Sequence, residues 1–133
     1  MSEQQYRYLA PRVEQGVLVL TITHSQLRST QFDLPDVLRD EMLRAVAQAK
    51  TNKVVVDLSR VEQLGSASFR PLLSLRRQLH EAKGQLLLAG LQPDIREVFL
   101  VTRLIDEQGS TLATFGVAAD APTAVVRLNA GQS

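Results

Sequence analysis

Apolar and polar positions along this chain switch repeatedly between the strand period and the helix period. Tyr6, Tyr8, Pro11 and Val13 lead to Gln15-Gly16, after which Val17 to Thr23 is an apolar, β-branched run. Two such runs around a glycine turn predict an antiparallel pair. His24–Phe32 is polar and reads as the first connecting loop. Asp33 is placed to cap a helix with Pro35 and Asp36 in its first turn. Within that helix Leu34, Leu38, Met42, Ala45, Val46 and Ala49 recur at steps of three and four, opposite Asp36, Arg39, Asp40 and Arg44.

Lys53–Leu58 is nearly continuous in apolar side chains, the pattern of a strand covered on both faces. After the connection Ser59–Gly65 a helix is expected from about Ser66, with Phe69, Leu72, Leu73, Arg76 and Leu79 following its period and Gly84 placed to end it. A second buried strand follows at Gln85–Ala89, parallel to and beside Val54–Leu58. Pro93 and Asp94 open a short helix with Ile95, Val98 and Phe99 inward, and Leu112–Val117 reads as one more strand. The last helix starts near Asp120 and Pro122 with Ala124, Val125 and Leu128 on its apolar side, and Asn129–Ser133 is expected to be a frayed tail. The order ββ then αβαβαβα predicts an α/β fold, a mixed sheet of four to five strands with about four helices, built from right-handed βαβ units. The pattern leaves open whether helices cover one face of the sheet or both.

Composition narrows the function classes. The 133 residues and 14.7 kDa fit one domain over 1–133, and 44% hydrophobic residues suffice for its core. Fifteen Lys and Arg against fourteen Asp and Glu give a formal charge of +1, too little field to hold a polyanion, so neither nucleic acid nor an anionic membrane surface is an expected partner. The chain has no cysteine, which suits a reducing compartment. It has no apolar run of the length needed to span a bilayer, and its N-terminus lacks a signal-peptide pattern, so the expected location is cytoplasmic.

Candidate chemistry is sparse. His24 and His80 are the two histidines, one in a loop and one on the outer part of a helix, and both read as surface residues. No metal-ligand spacing or phosphate loop is present, so no catalytic residue, metal or cofactor is expected. Gly65-Ser66-Ala67-Ser68-Phe69 superficially resembles a nucleophile elbow, but Leu64 and Ser68 stand where that turn requires glycine. What remains is Ser66 at a loop-to-helix junction. Its hydroxyl could cap the helix, or carry a phosphate that the helix N-terminus would tolerate.

The stretch Val54-Val55-Val56-Asp57-Leu58-Ser59 through Leu64-Gly65-Ser66-Ala67-Ser68-Phe69 resembles the signature of STAS domains, the family that includes bacterial anti-sigma factor antagonists. In that family a buried strand ends in Asp-Leu-Ser and leads to Asp-Ser-Ser/Thr-Gly-Leu at a helix start. Gly84 to Leu91 and Pro93–Leu104, with Val98, Thr102 and Leu104, extend the likeness, which covers about residues 13–128. The resemblance implies a SpoIIAA-like fold and a non-enzymatic interaction module. Its expected partners are an anti-sigma factor or a GHKL-type serine kinase, with a cognate phosphatase, and its expected role is in sigma-factor-dependent transcription. It makes Ser66 the phosphoacceptor, with Ser68 as the secondary candidate, and Ser66, Ala67, Phe69, Arg70 and Leu73 the partner-binding residues. Gly65 replaces the family aspartate, Ser68 the glycine, and Arg70 and Pro71 small or aliphatic residues. The alternative is an accessory subunit of a lipid-transport or stress-signalling complex without a phospho-switch.

Overall fold

Alternating side chains of three neighbouring strands point into two separate apolar cores, and this sets the architecture of the computed structural model, which describes residues 6–27, 34–106 and 114–130, with the side chain of Ser66 left out. The strands are β1 (Leu9–Glu14), β2 (Val17–Ile22), β3 (Gln26–Leu27), β4 (Lys53–Asp57), β5 (Gln63–Leu64), β6 (Gln85–Ala89) and β7 (Gly116–Ala118). The helices are α1 (Leu34–Ala49), α2 (Phe69–Glu81), α3 (Pro93–Val101) and α4 (Ala121–Asn129).

Five strands form one mixed sheet in the order β1-β2-β4-β6-β7, with β1 antiparallel to β2 and the others parallel. As expected, β4 and β6 are adjacent, Val54 opposite Leu86 and Val56 opposite Leu88. Leu18, Leu20, Ile22, Val54, Val56 and Leu88 face a core closed by α1, α2 and α3, through Leu34, Leu38, Met42, Leu72, Leu75, Leu79, Ile95 and Phe99. Val17, Val19, Val55, Leu87 and Ala89 face the other way, onto Ala121, Ala124, Val125 and Leu128 of α4. The question the sequence left open is thereby answered: helices lie on both faces, which is why the central strands are apolar without alternation.

Several expectations need correction. The regular helix α2 starts at Phe69, after a 3-10 turn at Ser66–Ser68, and not at Ser66. Its buried stripe is Pro71, Leu72, Leu75 and Leu79, whereas Leu73 and Arg76 are exposed. Apolar residues at 72 and 73 lie about 100° apart on a helix, and the position of Leu75 and Leu79 selects Leu72. Gly84 does not supply the left-handed residue that ends α2. Lys83 does so with φ 59°, while the Gly84 backbone N–H donates to the carbonyl of Leu79 at 2.6 Å. Gly84 is needed for another reason: a Cβ there would lie 2.5 Å from the Asn52 carbonyl oxygen.

The two loops predicted as His24–Phe32 and Ser59–Gly65 contribute the short strands β3 and β5, paired in parallel as a second, two-stranded sheet. β7 is three residues long, shorter than the predicted Leu112–Val117, of which 112 and 113 lie outside the described residues, as do the proposed cap Asp33 and the tail at 131–133. Asn129 is not frayed: it closes α4, and its side-chain amide donates to the Gln15 carbonyl at 3.0 Å. α4 starts beside Asp120 as expected, and the Asp120 side chain caps it, accepting from the Thr123 backbone N–H at 2.9 Å.

Candidate functional site

The turn that carries Ser66 is held at both ends by buried side chains and along its length by backbone hydrogen bonds. β4 ends at Asp57, whose carboxylate accepts from the Ser59 N–H at 3.0 Å. Leu58 and Val61 are fully buried and anchor the chain as it leaves the sheet, with the Leu58 N–H donating to the Ala89 carbonyl and the Val61 N–H to that of Leu58. Between these anchors Ser59 and Arg60 are exposed, and Glu62 and Gln63 follow on the surface. The Ser25 carbonyl then takes the N–H groups of both Glu62 (2.7 Å) and Gln63 (3.0 Å).

Pairing of β5 with β3 continues this clamp. The Leu27 carbonyl accepts from the Gly65 N–H at 2.5 Å and from the Ser68 hydroxyl at 3.4 Å, and the Ser68 N–H donates back to the Gly65 carbonyl at 3.0 Å. Backbone groups that would otherwise be orphaned at the entrance of α2 are thus satisfied across the chain. Gly90, with φ +72°, packs against Ser59, and the Gln92 side chain donates to the Ser59 carbonyl at 2.9 Å. The turn therefore sits on a fixed frame at the carboxyl ends of the parallel strands.

The residues predicted for partner binding are brought together here in a graded way. Ser66 opens the 3-10 turn, Ala67 is half-buried, and Arg70 is exposed on the first turn of α2. Phe69 is half-buried with its ring edge-on to Phe99 at 5.1 Å, so it belongs partly to the core. Leu73 is 38% exposed. Ser68 is 1% exposed and turned inward to Leu27, unlike an open acceptor site. The His24 ring lies 4.8 Å from the Tyr8 ring and its Nδ1 3.3 Å from the Thr23 hydroxyl, and His80 is exposed in the last turn of α2. No group of three or more potential metal ligands occurs among the described residues, and no helix among them is long and apolar enough to cross a membrane.

Sequence reasoning missed two features. The β3–β5 clamp is too short to give a period. Glu41, 5% exposed, accepts from the N–H groups of Arg7 (2.7 Å) and Tyr8 (2.9 Å) and ties the segment before β1 to α1. A signal for it existed, since position 41 falls on the same helical face as Leu34, Leu38 and Ala45.

Comparison with known proteins agrees with the fold. The family described as Mlab, STAS domain matches residues 14–114. A protein of Bordetella bronchiseptica, BtrV, provisionally named an anti-sigma factor antagonist, is 38% identical over 66 residues. That stretch is 47% of this chain and 57% of the relative, so less than two thirds of BtrV is matched. Among solved structures, an anti-sigma factor antagonist of provisional assignment from Thermotoga maritima superposes with a TM-score of 0.73 at 14% identity, covering 91% of this chain and 94% of the other. SpoIIAA of Bacillus in its phosphorylated form superposes with a TM-score of 0.63 at 16% identity, covering 90% and 98%. At such identities these likenesses establish the fold.

Proposed function

The chain belongs to the STAS domain family, and from that premise we propose that it is a non-enzymatic, cytoplasmic interaction module of the anti-sigma factor antagonist kind. It binds an anti-sigma factor or GHKL-type serine kinase through the Ser66 turn and the start of α2. Phosphorylation of Ser66 switches binding off, a cognate phosphatase restores it, and sigma-factor-dependent transcription follows the switch. The observation that carries this reading is the clamped turn: Ser66 enters α2 next to half-buried Ala67 and exposed Arg70, on a frame held by Leu58, Val61 and the β3–β5 pair. A new phosphate there would have to be desolvated by a docked partner, and burying an unpaired charge costs several kcal/mol, enough for a hundredfold loss of affinity.

The test is a photo-cross-linking residue in place of Ala67, exposed to extract of the source organism. The affinity of the captured protein is then measured for wild type, Ser66→Asp, and Ser66→Asp with Arg70→Gly. A loss of about a hundredfold for Ser66→Asp, at an unchanged thermal midpoint, is expected. Arg70, four residues on, partly offsets the charge, so the double variant should bind more weakly still. Wild-type affinity in Ser66→Asp would sink the switch.

A second reading is favoured by Gly65, which stands where the family motif carries an aspartate beside the acceptor, and by the Mlab description of the matching family. In it the chain is an accessory subunit of a lipid-transport or stress-signalling complex, without a phospho-switch. Capture of a transporter subunit, bound equally by wild type and Ser66→Asp, distinguishes it.

A further inference from the structure

The outer side of α2 carries a row of residues, running on from Arg70 beside the Ser66 turn, that the fold does not use. With Pro71, Leu72, Leu75 and Leu79 buried, the opposite side of a helix of 3.6 residues per turn is occupied by Arg70, Leu73 and Arg77, at steps of three and four. All three are exposed. Phe69–Glu81 holds three arginines and one glutamate, so this helix alone carries a formal +2 in a chain of +1.

The arginines of α2 are not equivalent. Arg76 is occupied, its Nε donating to the Thr114 carbonyl at 2.5 Å. Arg77 meets Glu81 at 3.4 Å, but side-chain exposures of 83% and 61% make that pair weak and easily exchanged. Arg70 has no ion pair or hydrogen bond among the described residues. The outer face of α1 differs: Arg39 lies between Asp36 at 3.6 Å and Asp40 at 3.3 Å, so its charges are answered within the helix. Of these two helices, α2 is the one whose outer face carries loosely held positive charge, and it surrounds a partly exposed leucine.

We propose that the Arg70–Leu73–Arg77 ridge docks an acidic segment of the partner protein, one that pairs with the two guanidinium groups and covers Leu73 with an apolar side chain. This rests on the interaction-module reading above and adds the chemistry of the partner. Arginine flanking an apolar contact is the composition of protein interfaces, where planar bidentate pairing with carboxylates gives register. A lipid surface fits less well: a helix lying on a membrane buries a broad apolar face, and this ridge offers Leu73 alone while the rest of the apolar face of α2 is committed to the core.

The test places a photo-cross-linking residue separately at Ala67, Leu73 and Arg77 in the full chain and maps the linked peptides in the captured protein. It then measures that protein's affinity for wild type, Arg70→Glu/Arg77→Glu and Arg70→Lys/Arg77→Lys. The same protein should be captured from all three positions, with the peptides linked at 73 and 77 net negative and containing an apolar residue. Affinity should fall at least thirtyfold in the glutamate variant and less than threefold in the lysine variant, whose thermal midpoint serves as a folding control. Wild-type affinity should fall at least tenfold between 50 and 300 mM NaCl. Capture from Ala67 alone, a neutral or basic linked peptide, or wild-type affinity in the glutamate variant overturns the acidic-partner inference and leaves the Ser66 reading standing. Capture from no position overturns both. Co-sedimentation with phosphatidylglycerol vesicles that the glutamate variant abolishes assigns the ridge to a membrane and also overturns it.

Discussion

Leu73 and Leu75, two residues apart on α2, stand on opposite sides of the helix: Leu75 is fully buried under the sheet, and Leu73 is 38% exposed on the outer ridge. Leu75→Ala should therefore cost about 2–5 kcal/mol, as truncation of a packed leucine does. Leu73→Ala should change stability by no more than about 0.5 kcal/mol. Urea denaturation of the two variants checks this, and equal losses would mean that α2 is rotated from the orientation described.

The pair also marks what the sequence could and could not disclose. Long-period features were legible: the stripe of α1, the doubly covered runs of β4 and β6, and the start of α4 near Asp120 all follow from residues within one element. The side of α2 was not, because Leu72, Leu73 and Leu75 satisfy two helical faces, and the core that chooses between them is built by β2, β4 and α1. The buried place of Glu41 could be read from its helical face, but its hydrogen-bonding partners could not, since they are backbone groups more than thirty residues away. The Ser66 turn was found through its motif, whereas the β3–β5 clamp that holds it depends on pairing distant dipeptides.

At the end of α2 the backbone makes two opposite demands on neighbouring residues. Lys83 sits in the left-handed region at φ 59°, which costs a side-chain-bearing residue about 1–2 kcal/mol, part of which glycine returns in chain entropy. Lys83→Gly should thus raise stability by roughly 0.5–1 kcal/mol. Gly84→Ala should lower it by about 1–3 kcal/mol, because its Cβ would meet the Asn52 carbonyl oxygen at 2.5 Å and the Asn52 Cβ at 2.8 Å. Opposite shifts in thermal midpoint are expected, and shifts of the same sign would contradict this division of roles.

Glu41 should act as a latch on the segment before β1. Its carboxylate accepts two backbone N–H groups with the side chain buried, so Glu41→Ala removes both bonds, strands the buried Tyr8 donor and should cost about 1–3 kcal/mol. Tyr6 shares the attachment through its hydroxyl, which donates to Gln48, and through Arg44 stacked 4.7 Å from its ring. In hydrogen exchange the amides of Arg7 and Tyr8 should lose protection in Glu41→Ala while those of β4 keep theirs. Unchanged protection at 7 and 8 would show that the latch is unimportant.

Asp120 gives the chain a predictable acid response. Hydrogen bonds from the Thr123 hydroxyl and backbone N–H hold its carboxyl below the ordinary value of 3.8. A group whose folded value is depressed contributes stability above its unfolded value and loses it as pH falls through the folded one. Asp120→Asn keeps a good cap without a titrating group. The stability of wild type relative to Asp120→Asn should accordingly be constant from pH 7 to 5 and decline below about 3.8, which a series of thermal midpoints against pH would show. A gap that stays constant down to pH 2 would contradict the cap.

Ser68, the secondary candidate acceptor, is closed off inside the turn. Its hydroxyl is 1% exposed and donates to the Leu27 carbonyl at 3.4 Å, an oxygen that the Gly65 N–H already satisfies at 2.5 Å. Ser68→Ala therefore removes one long hydrogen bond and leaves no orphan, costing no more than about 1 kcal/mol. Ser68→Asp places a carboxylate against a carbonyl oxygen in a buried site with no added donor, at a cost of several kcal/mol. A phosphate on Ser68 would carry more charge than that carboxylate, so its addition requires the turn to open first. Denaturation midpoints of the two variants decide the matter. A large loss for Ser68→Asp beside a small one for Ser68→Ala would exclude Ser68 as an acceptor in the folded chain, whereas small losses in both would mean that the clamp opens readily and Ser68 is accessible.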